Sequence, residues 1–172
     1  MLKLSIFRHA KSSWDAVAQK DFDRPLSDRG IAAAPIMGAY LAKQQLLPDL
    51  VLSSPSARTR ATCALAFAAL KLPRQVVFED ALYLASQRTL LARIRRVDAH
   101  VHHLMVVGHN PGLQSLALAL LGPATSKASA ELSDKLPTAG LVVLEFDRDD
   151  WAAIKPGSAR LSRFVTPRML MA

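Results

Sequence analysis

Two arginines and two histidines follow apolar runs of the sequence. They are Arg8 and His9 after residues 2–7, Arg58 after residues 49–53, and His109 after residues 103–107. Guanidinium and imidazole groups suit a tetrahedral dianion, since each charge-assisted hydrogen bond contributes roughly 1.5–3 kcal/mol. A neutral imidazole can also attack phosphorus and hold the phosphoryl group until water hydrolyses it. The residue types therefore indicate phosphate chemistry, with His9 as the simplest candidate for the reactive group.

Sequence motifs for other kinds of phosphate chemistry are missing. The chain has no GxxxxGK[ST] loop to cradle a nucleotide and no carboxylate cluster with Mg²⁺ spacing. It has no CxxxxxR loop either, and Cys63 falls in a predicted helix, on the side assigned to the core. An imidazole therefore remains the simplest nucleophile.

The elements that must position these side chains alternate along the chain. Apolar runs predict strands at residues 2–7, 49–53, 75–78, 103–107 and 141–146, and two more at an antiparallel edge, 151–154 and 161–165. Helices are predicted at residues 31–45, 57–71, 87–97 and 113–121, and their candidate N-caps include Ser27 or Asp28, Ser56 and Ser86. Residues 10–28 form a long polar loop, and residues 122–137 are predicted to be polar and mobile.

Two of these helices carry an apolar face at helical spacing. The helix after Ser56, whose first turn holds Arg58, is expected to bury Ala61, Leu65, Ala68 and Leu72. The helix after Ser86 is expected to bury Leu90, Leu91, Ile94 and Val97. We assign four arginines of that helix to its solvated face: Arg88, Arg93, Arg95 and Arg96.

Strands that alternate with helices predict an α/β fold with a mostly parallel sheet, covered by helices on both sides. The strand-to-helix junctions of such a sheet lie on one edge, where helix N-termini offer N–H groups to a phosphate. Arg8, His9, Arg58 and His109 are therefore expected to meet in one cleft.

Composition sets the broad class of the protein. The 172 residues predict a single domain over 1–172, and 51% hydrophobic content is enough for a continuous core. Cys63 is the only cysteine, so no intramolecular disulfide forms. No apolar stretch suits a signal peptide or a membrane span, which predicts a cytoplasmic protein without a membrane partner. The oligomeric state stays open.

The chain is strongly basic, with a net charge of +8 and a pI of about 10.2. This charge gives either a positive potential that attracts anionic substrates or simply a basic solvated surface. No dense block of lysine and arginine is interleaved with aromatic residues, so the pattern disfavours nucleic acid as a partner.

Three segments in order, LSIFRHA, LSSPSARTRAT and VVGHNPG, resemble the three motifs of the histidine phosphatase (phosphoglycerate-mutase-like) superfamily. The short chain, DRPLSDRG and the HNPG turn are similar to the phosphohistidine phosphatase SixA branch, over about residues 2–121. The resemblance implies a three-layer α/β/α sandwich with its site at the carboxyl ends of the strands. It implies His9 as the phosphorylated nucleophile, Arg8, Arg58 and His109 as phosphate ligands, and no metal or organic cofactor.

The sequence departs from the superfamily pattern at two places. Ala10 replaces the usual glycine of the first motif, which matters only where φ must be positive. Many members carry a glutamate after the third strand as leaving-group acid. Here Glu79 or Asp80 could serve, but the register does not settle which, and the SixA branch that the chain resembles lacks a firm equivalent. An alkoxide needs such an acid, whereas a phosphoramidate nitrogen can leave already protonated. Without a firm acid, the pattern favours phosphohistidine or another activated phosphoryl group over alkyl esters. We expect the substrate to be phosphohistidine in a signalling protein.

Other interpretations remain open at this point. The protein could be a phosphomonoesterase of small metabolites, or a weakly catalytic module that only binds phosphate or phosphoproteins. Arg24 in the long loop is a further candidate phosphate contact or a surface arginine, and Lys11, Ser12 and Ser13 could line the mouth of the site. A metal site at His100, His102 and His103 lacks a carboxylate or cysteine to complete it, so a solvated run is favoured.

Overall fold

The computed structural model describes residues 1–14, 19–70 and 76–171, so the predictions for Lys71, Leu72 and Gln75 lie outside it. Six strands form one sheet in the order β3-β2-β4-β1-β5-β6. The strands are β1 (Leu2–Arg8), β2 (Leu50–Ser53), β3 (Val76–Phe78), β4 (His103–Gly108), β5 (Leu141–Phe146) and β6 (Ala159–Val165).

The sheet is mostly parallel, as predicted. Strands β1, β2, β3 and β4 pair in parallel, β5 pairs antiparallel with β1, and β6 forms the outer edge antiparallel to β5. The central pair β1 and β4 places Arg8 opposite Gly108, so both strands end at the same level. His9 and His109, which follow directly, therefore emerge side by side.

Six helices cover the two faces of the sheet. They are α1 (Asp28–Lys43), α2 (Ala57–Phe67), α3 (Gln87–Ile94), α4 (Gly112–Leu121), α5 (Lys127–Asp134) and α6 (Pro167–Met171). Side chains of β1 alternate between two buried clusters, Ile6 facing the cluster of α3, α4 and α5, and Phe7 facing that of α1 and α2. The three-layer α/β/α sandwich is confirmed.

Helix starts follow the sequence closely. The hydroxyls of Ser27, Ser56 and Ser86 each accept a hydrogen bond from the backbone N–H three residues on. Helices α1 and α2 pack closely at Gly38, where a Cβ atom would lie 1.9 Å from the carbonyl oxygen of Ala66. Only glycine allows the two helices to approach so closely. This contact helps to fix the position of α2 and therefore of Arg58 in its first turn.

Three predictions about secondary structure and packing are wrong. Helix α2 buries Arg58, Thr59, Thr62, Cys63 and Ala66, while Ala61 and Leu65 are half-buried and Ala68 is exposed. The segment 122–137, predicted to be mobile, contains α5, whose Leu132 joins the core. The predicted strand at 151–154 is a short 3₁₀ turn at Trp151–Ala153, which begins where the carboxylate of Asp150 accepts a hydrogen bond from the N–H of Ala152. Trp151 is buried there and donates its indole N–H to the carbonyl of Val101 at 2.7 Å.

The prediction for helix α3 holds for its apolar face and fails for part of its charged face. Leu90, Leu91 and Ile94 are buried, and Val97 beyond its end is buried too. Arg93 and Arg95, by contrast, are half-buried. Arg93 binds Glu79, and Arg95 donates to the carbonyl of Ile154.

Within the described ranges, no helix is long and apolar enough to cross a membrane.

Candidate active site

The predicted site residues meet in a cleft of about 240 Å³ at the carboxyl ends of β1, β2 and β4. Arg8 ends β1, His9 follows it, Arg58 lies in the first turn of α2, and His109 lies between β4 and α4. Arg24 reaches the same cleft from the long loop. The cleft is completed by Lys11, Ser12, Trp14, Leu84, Asn110 and Thr138, whereas Ser13 is not among its lining residues.

His9 is held by its backbone and by one ring nitrogen. Its N–H donates to the carbonyl of Gly108 at 3.1 Å, and its carbonyl accepts from the N–H of Ala139 at 2.9 Å. Nδ1 lies 2.6 Å from the carbonyl oxygen of Ala10, which can only accept, so Nδ1 carries the proton. In the neutral ring, Nε2 is therefore left with its lone pair.

The surroundings of His9 keep its imidazole neutral. Burial first, and then the positive charges of Arg58, Arg8 and Arg24, together lower the pKa of His9 to about 4 against the opposing hydrogen bond to Ala10. At neutral pH the ring is therefore a ready nucleophile that needs no base to deprotonate it.

Ala10 fits the position where the superfamily usually has glycine. It is fully buried and lies outside the left-handed region of φ, so its Cβ brings no backbone strain. Its N–H donates to Oγ1 of Thr62 at 3.0 Å, and that hydroxyl donates to the carbonyl of Arg58 at 2.7 Å. One threonine thus ties the peptide after His9 to the helix that carries Arg58.

Arg58 and His109 are in direct contact. Nη2 of Arg58 lies 3.2 Å from Nδ1 of His109, and Nε2 of His109 lies 2.7 Å from Oγ of Ser54. A guanidinium only donates, so Nδ1 accepts and Nε2–H donates to Ser54. Burial lowers the pKa of His109 to about 3, with the charges of His9 and Arg58 acting in the same direction.

Arg8 is anchored to the segment that follows α5. Its Nη1 donates to the carbonyl of Leu136 at 3.0 Å, and the amide of Asn110 donates to the same carbonyl at 2.9 Å. Nε of Arg8 is buried without a hydrogen-bond partner in the described part of the chain. Burial lowers the pKa of Arg8, and the charge of Arg58 lowers it further.

Asp21 is a charged neighbour of this site that the sequence analysis missed. Its carboxylate accepts from Arg58 Nη2 at 3.0 Å, from Arg24 Nη1 at 3.0 Å, and from the hydroxyl of Tyr83. Burial acts to raise the pKa of Asp21, but the hydrogen bonds from Tyr83, Arg58 and Arg24 outweigh it and lower the pKa to about 2. It begins a short 3₁₀ turn inside the long polar loop, where no periodicity of the sequence singles it out.

Two of the three neighbouring histidines near the start of β4 use their rings in contacts with different residues. Nε2 of His103 lies 2.7 Å from Oγ of Ser5, and Nδ1 of His100 lies 2.6 Å from a carboxylate oxygen of Asp98. Among residues 1–14, 19–70 and 76–171, no group of three His, Cys, Asp or Glu side chains is placed to hold a metal ion.

Comparison with known proteins supports the geometry. The sequence pattern of the histidine phosphatase superfamily (branch 1) matches residues 4–83. The crystal structure of a candidate phosphohistidine phosphatase SixA from Agrobacterium tumefaciens superposes with a TM-score of 0.82. It is 33% identical, and the alignment covers 96% of this chain and 98% of that one. The chain belongs to the histidine phosphatase superfamily.

Two further proteins are similar to this one over nearly the whole chain. An uncharacterized protein from Mycobacterium tuberculosis strain H37Rv is 40% identical over 164 residues, which are 94% of this chain and 99% of that protein. A protein histidine phosphatase SixA complexed with tungstate shares the fold, with a TM-score of 0.80 at 21% identity, covering 98% of this chain and 99% of that chain.

In this histidine phosphatase cleft, the two candidates for a leaving-group acid after β3 lie away from the site. Glu79 binds Arg93 through both carboxylate oxygens, at 2.8 and 3.0 Å, and these hydrogen bonds lower the pKa of Glu79. Neither Glu79 nor Asp80 lines the cleft, and none of its lining residues in the described ranges is a carboxylate. The chain thus offers four cationic side chains and two imidazoles to a phosphoryl group.

Proposed function

We propose that this protein is a phosphatase that removes the phosphoryl group from phosphohistidine in a signalling protein, through a phosphohistidine intermediate on His9. The observation that carries the proposal is the hydrogen bond from Nδ1 of His9 to the Ala10 carbonyl. It leaves Nε2 as a neutral nucleophile within a cleft that also contains Arg8, Arg24 and Arg58.

In the first step, Nε2 of His9 attacks phosphorus and forms an N–P bond. The bond from phosphorus to the leaving atom breaks, and its electron pair departs with the leaving group. Arg8, Arg58 and His109 bind the three equatorial oxygens, whose negative charge is spread out in the transition state. Leu136 and Asp21 already hold Arg8 and Arg58 in place, and Ser54 orients His109, which donates to the phosphoryl group once its Nδ1 takes up a proton.

In the second step, a water molecule attacks the phosphorus of the intermediate. The N–P bond to His9 breaks, its electron pair returns to Nε2, and both protons of the water leave with the inorganic phosphate. The imidazole is thereby restored to the neutral form in which it began, ready for another cycle.

The choice of phosphohistidine rests on the leaving group. A phosphorylated imidazole that carries a proton on its second nitrogen leaves as neutral imidazole, without a proton from the enzyme. An alkyl ester must expel an alkoxide, and general acid catalysis of that step contributes typically 10²–10⁴-fold. Glu79 is engaged by Arg93 and no described lining residue is a carboxylate, so the cleft suits the nitrogen leaving group.

The test compares kcat/KM for a phosphohistidine-bearing protein with kcat/KM for alkyl phosphates such as sugar and nucleoside phosphates. His9→Ala serves as the background control for spontaneous hydrolysis. We expect a preference for phosphohistidine of at least about 100-fold. Equal or inverted values would identify a phosphomonoesterase of small metabolites, and tight binding without turnover would identify a phosphate-binding module.

A further inference from the structure

Asp21 binds two arginines of the cleft at once. Its carbonyl accepts from Nη1 of Arg58 at 2.7 Å and one carboxylate oxygen accepts from Nη2 of the same guanidinium at 3.0 Å. Its other carboxylate oxygen accepts from Nη1 of Arg24 at 3.0 Å. The hydroxyl of Tyr83, whose ring packs edge-on against His109, completes the cluster.

The two guanidiniums that Asp21 connects would otherwise repel each other. Arg58 is 3% exposed and Arg24 is 8% exposed, so neither can rely on water to screen its charge. Both line the cleft, together with Arg8. A carboxylate between them offsets the repulsion and gives each planar group one orientation.

Asp21 is not placed to act as a leaving-group acid. It does not line the cleft, and its side chain contacts the guanidiniums from outside. Its low pKa, about 2, also keeps it ionised and without a proton to donate. Its effect on a bound phosphoryl group is therefore exerted through the arginines.

We infer that Asp21 is a positioning residue, which holds Arg58 and Arg24 as one rigid clamp for the phosphoryl group. The inference rests on the phosphate site of the proposed function and not on the identity of its substrate. It leads to an unusual expectation: removing a negative charge beside an anion site should weaken anion binding, because the lost orientation outweighs the gain in positive charge.

Asp23 provides a matched control for the charge. It lies in the same 3₁₀ turn, is exposed, and its side chain makes no hydrogen bond or ion pair in the part of the chain that the structure describes. Asp21→Asn and Asp23→Asn change the net charge equally. Binding of inorganic phosphate to each full-length variant is measured by calorimetry at one fixed ionic strength.

We expect Asp23→Asn to bind phosphate as well as the wild type or slightly better. Asp21→Asn should bind at least about tenfold more weakly, since it loses charge-assisted hydrogen bonds to both arginines. With phosphoramidate as donor, Asp21→Asn should raise KM about tenfold and change kcat less, because His9 is untouched. A merely structural role would lower the fraction of active protein and leave KM unchanged.

Tyr83→Phe is a milder variant, in case Asp21→Asn unfolds in a thermal melt. It keeps the charge of Asp21, removes one hydrogen bond, and should weaken phosphate binding by twofold or more. The inference would be overturned if Asp21→Asn bound phosphate as tightly as Asp23→Asn. If Asp21→Asn does not fold, unchanged phosphate binding by Tyr83→Phe would overturn it instead. Absence of phosphate binding by the wild type would instead contradict the proposed function.

Discussion

Nη2 of Arg58 lies 3.2 Å from Nδ1 of His109, and this contact determines which nitrogen of the imidazole is protonated. The guanidinium donates, so Nδ1 accepts and the proton lies on Nε2, which donates to Ser54. A dianion that enters between the two side chains can receive a hydrogen bond from His109 only through a newly protonated Nδ1. Nε2–H of the same ring keeps its hydrogen bond to Ser54 while Nδ1 takes up this proton.

Ser54→Ala should therefore lower kcat/KM by about tenfold or more, because a buried N–H loses its acceptor and the ring loses its orientation. Ser53→Ala is the control. Ser53 is equally buried, and its hydroxyl donates to the carbonyl of Ser54 without touching the imidazole. Equal kcat/KM in the two variants would contradict a role of Ser54 in positioning His109.

The pH dependence of activity should reflect the lowered pKa of His9. Burial and the neighbouring arginines bring this pKa to about 4, so Nε2 stays unprotonated well below pH 6.5. We expect the ring of His9 in the free protein to remain neutral down to pH 5 in an NMR titration. Over the same range, kcat/KM should not fall through protonation of this nucleophile. Protonation of His9 with a midpoint near 6.5 would contradict this.

Folding stability should fall on acidification for the same reason. The pKa of His9 is about 4 in the folded chain and 6.5 in the unfolded chain, so the unfolded state takes up the proton first as pH falls. The contribution of neutral His9 to the free energy of unfolding is fully present above pH 6.5 and is lost toward pH 4. The loss amounts to about 2 kcal/mol between pH 7 and pH 5. Urea unfolding at both pH values should show a smaller loss for His9→Asn than for the wild type. Equal losses would mean that His9 does not contribute.

Glu79→Gln should leave turnover of phosphohistidine within about threefold of the wild type, because Glu79 binds Arg93 and does not line the cleft. Its main effect should be on stability, where a partly exposed ion pair contributes at most about 1 kcal/mol. Rates for phosphohistidine and thermal melts measured side by side separate the two effects. A loss of 100-fold or more in kcat would make Glu79 the leaving-group acid after all.

The fold and the meeting of the site residues were predictable because local signals carry them. Apolar runs gave β1 and β4, serine caps gave the starts of α1, α2 and α3, and a parallel sheet brings strand ends to one edge. Arginine and histidine side chains at three such junctions, Arg8, Arg58 and His109, then have to converge.

The parts that were missed depend on contacts between distant segments. Asp21 lies in a short 3₁₀ turn of the long loop, and its role comes from contact with Arg58, 37 positions away. Helix α2 buries Thr59 and Thr62 because their hydroxyls bind backbone groups, which an apolar pattern does not reveal. Trp151 falls in a segment predicted as a strand. Its burial depends on the hydrogen bond from its indole N–H to the carbonyl of Val101, 50 positions away, which a local pattern does not reveal.

The most direct measurement is rapid labelling of the full-length protein with a radioactive phosphoryl donor, followed by mapping of the label. We expect a burst of acid-labile label on His9 that decays at the rate of turnover, and none in His9→Ala. The variant should keep its fold and still bind orthophosphate, vanadate or tungstate through Arg8 and Arg58. Turnover by the wild type without label on His9, or with label on another residue, would contradict the mechanism.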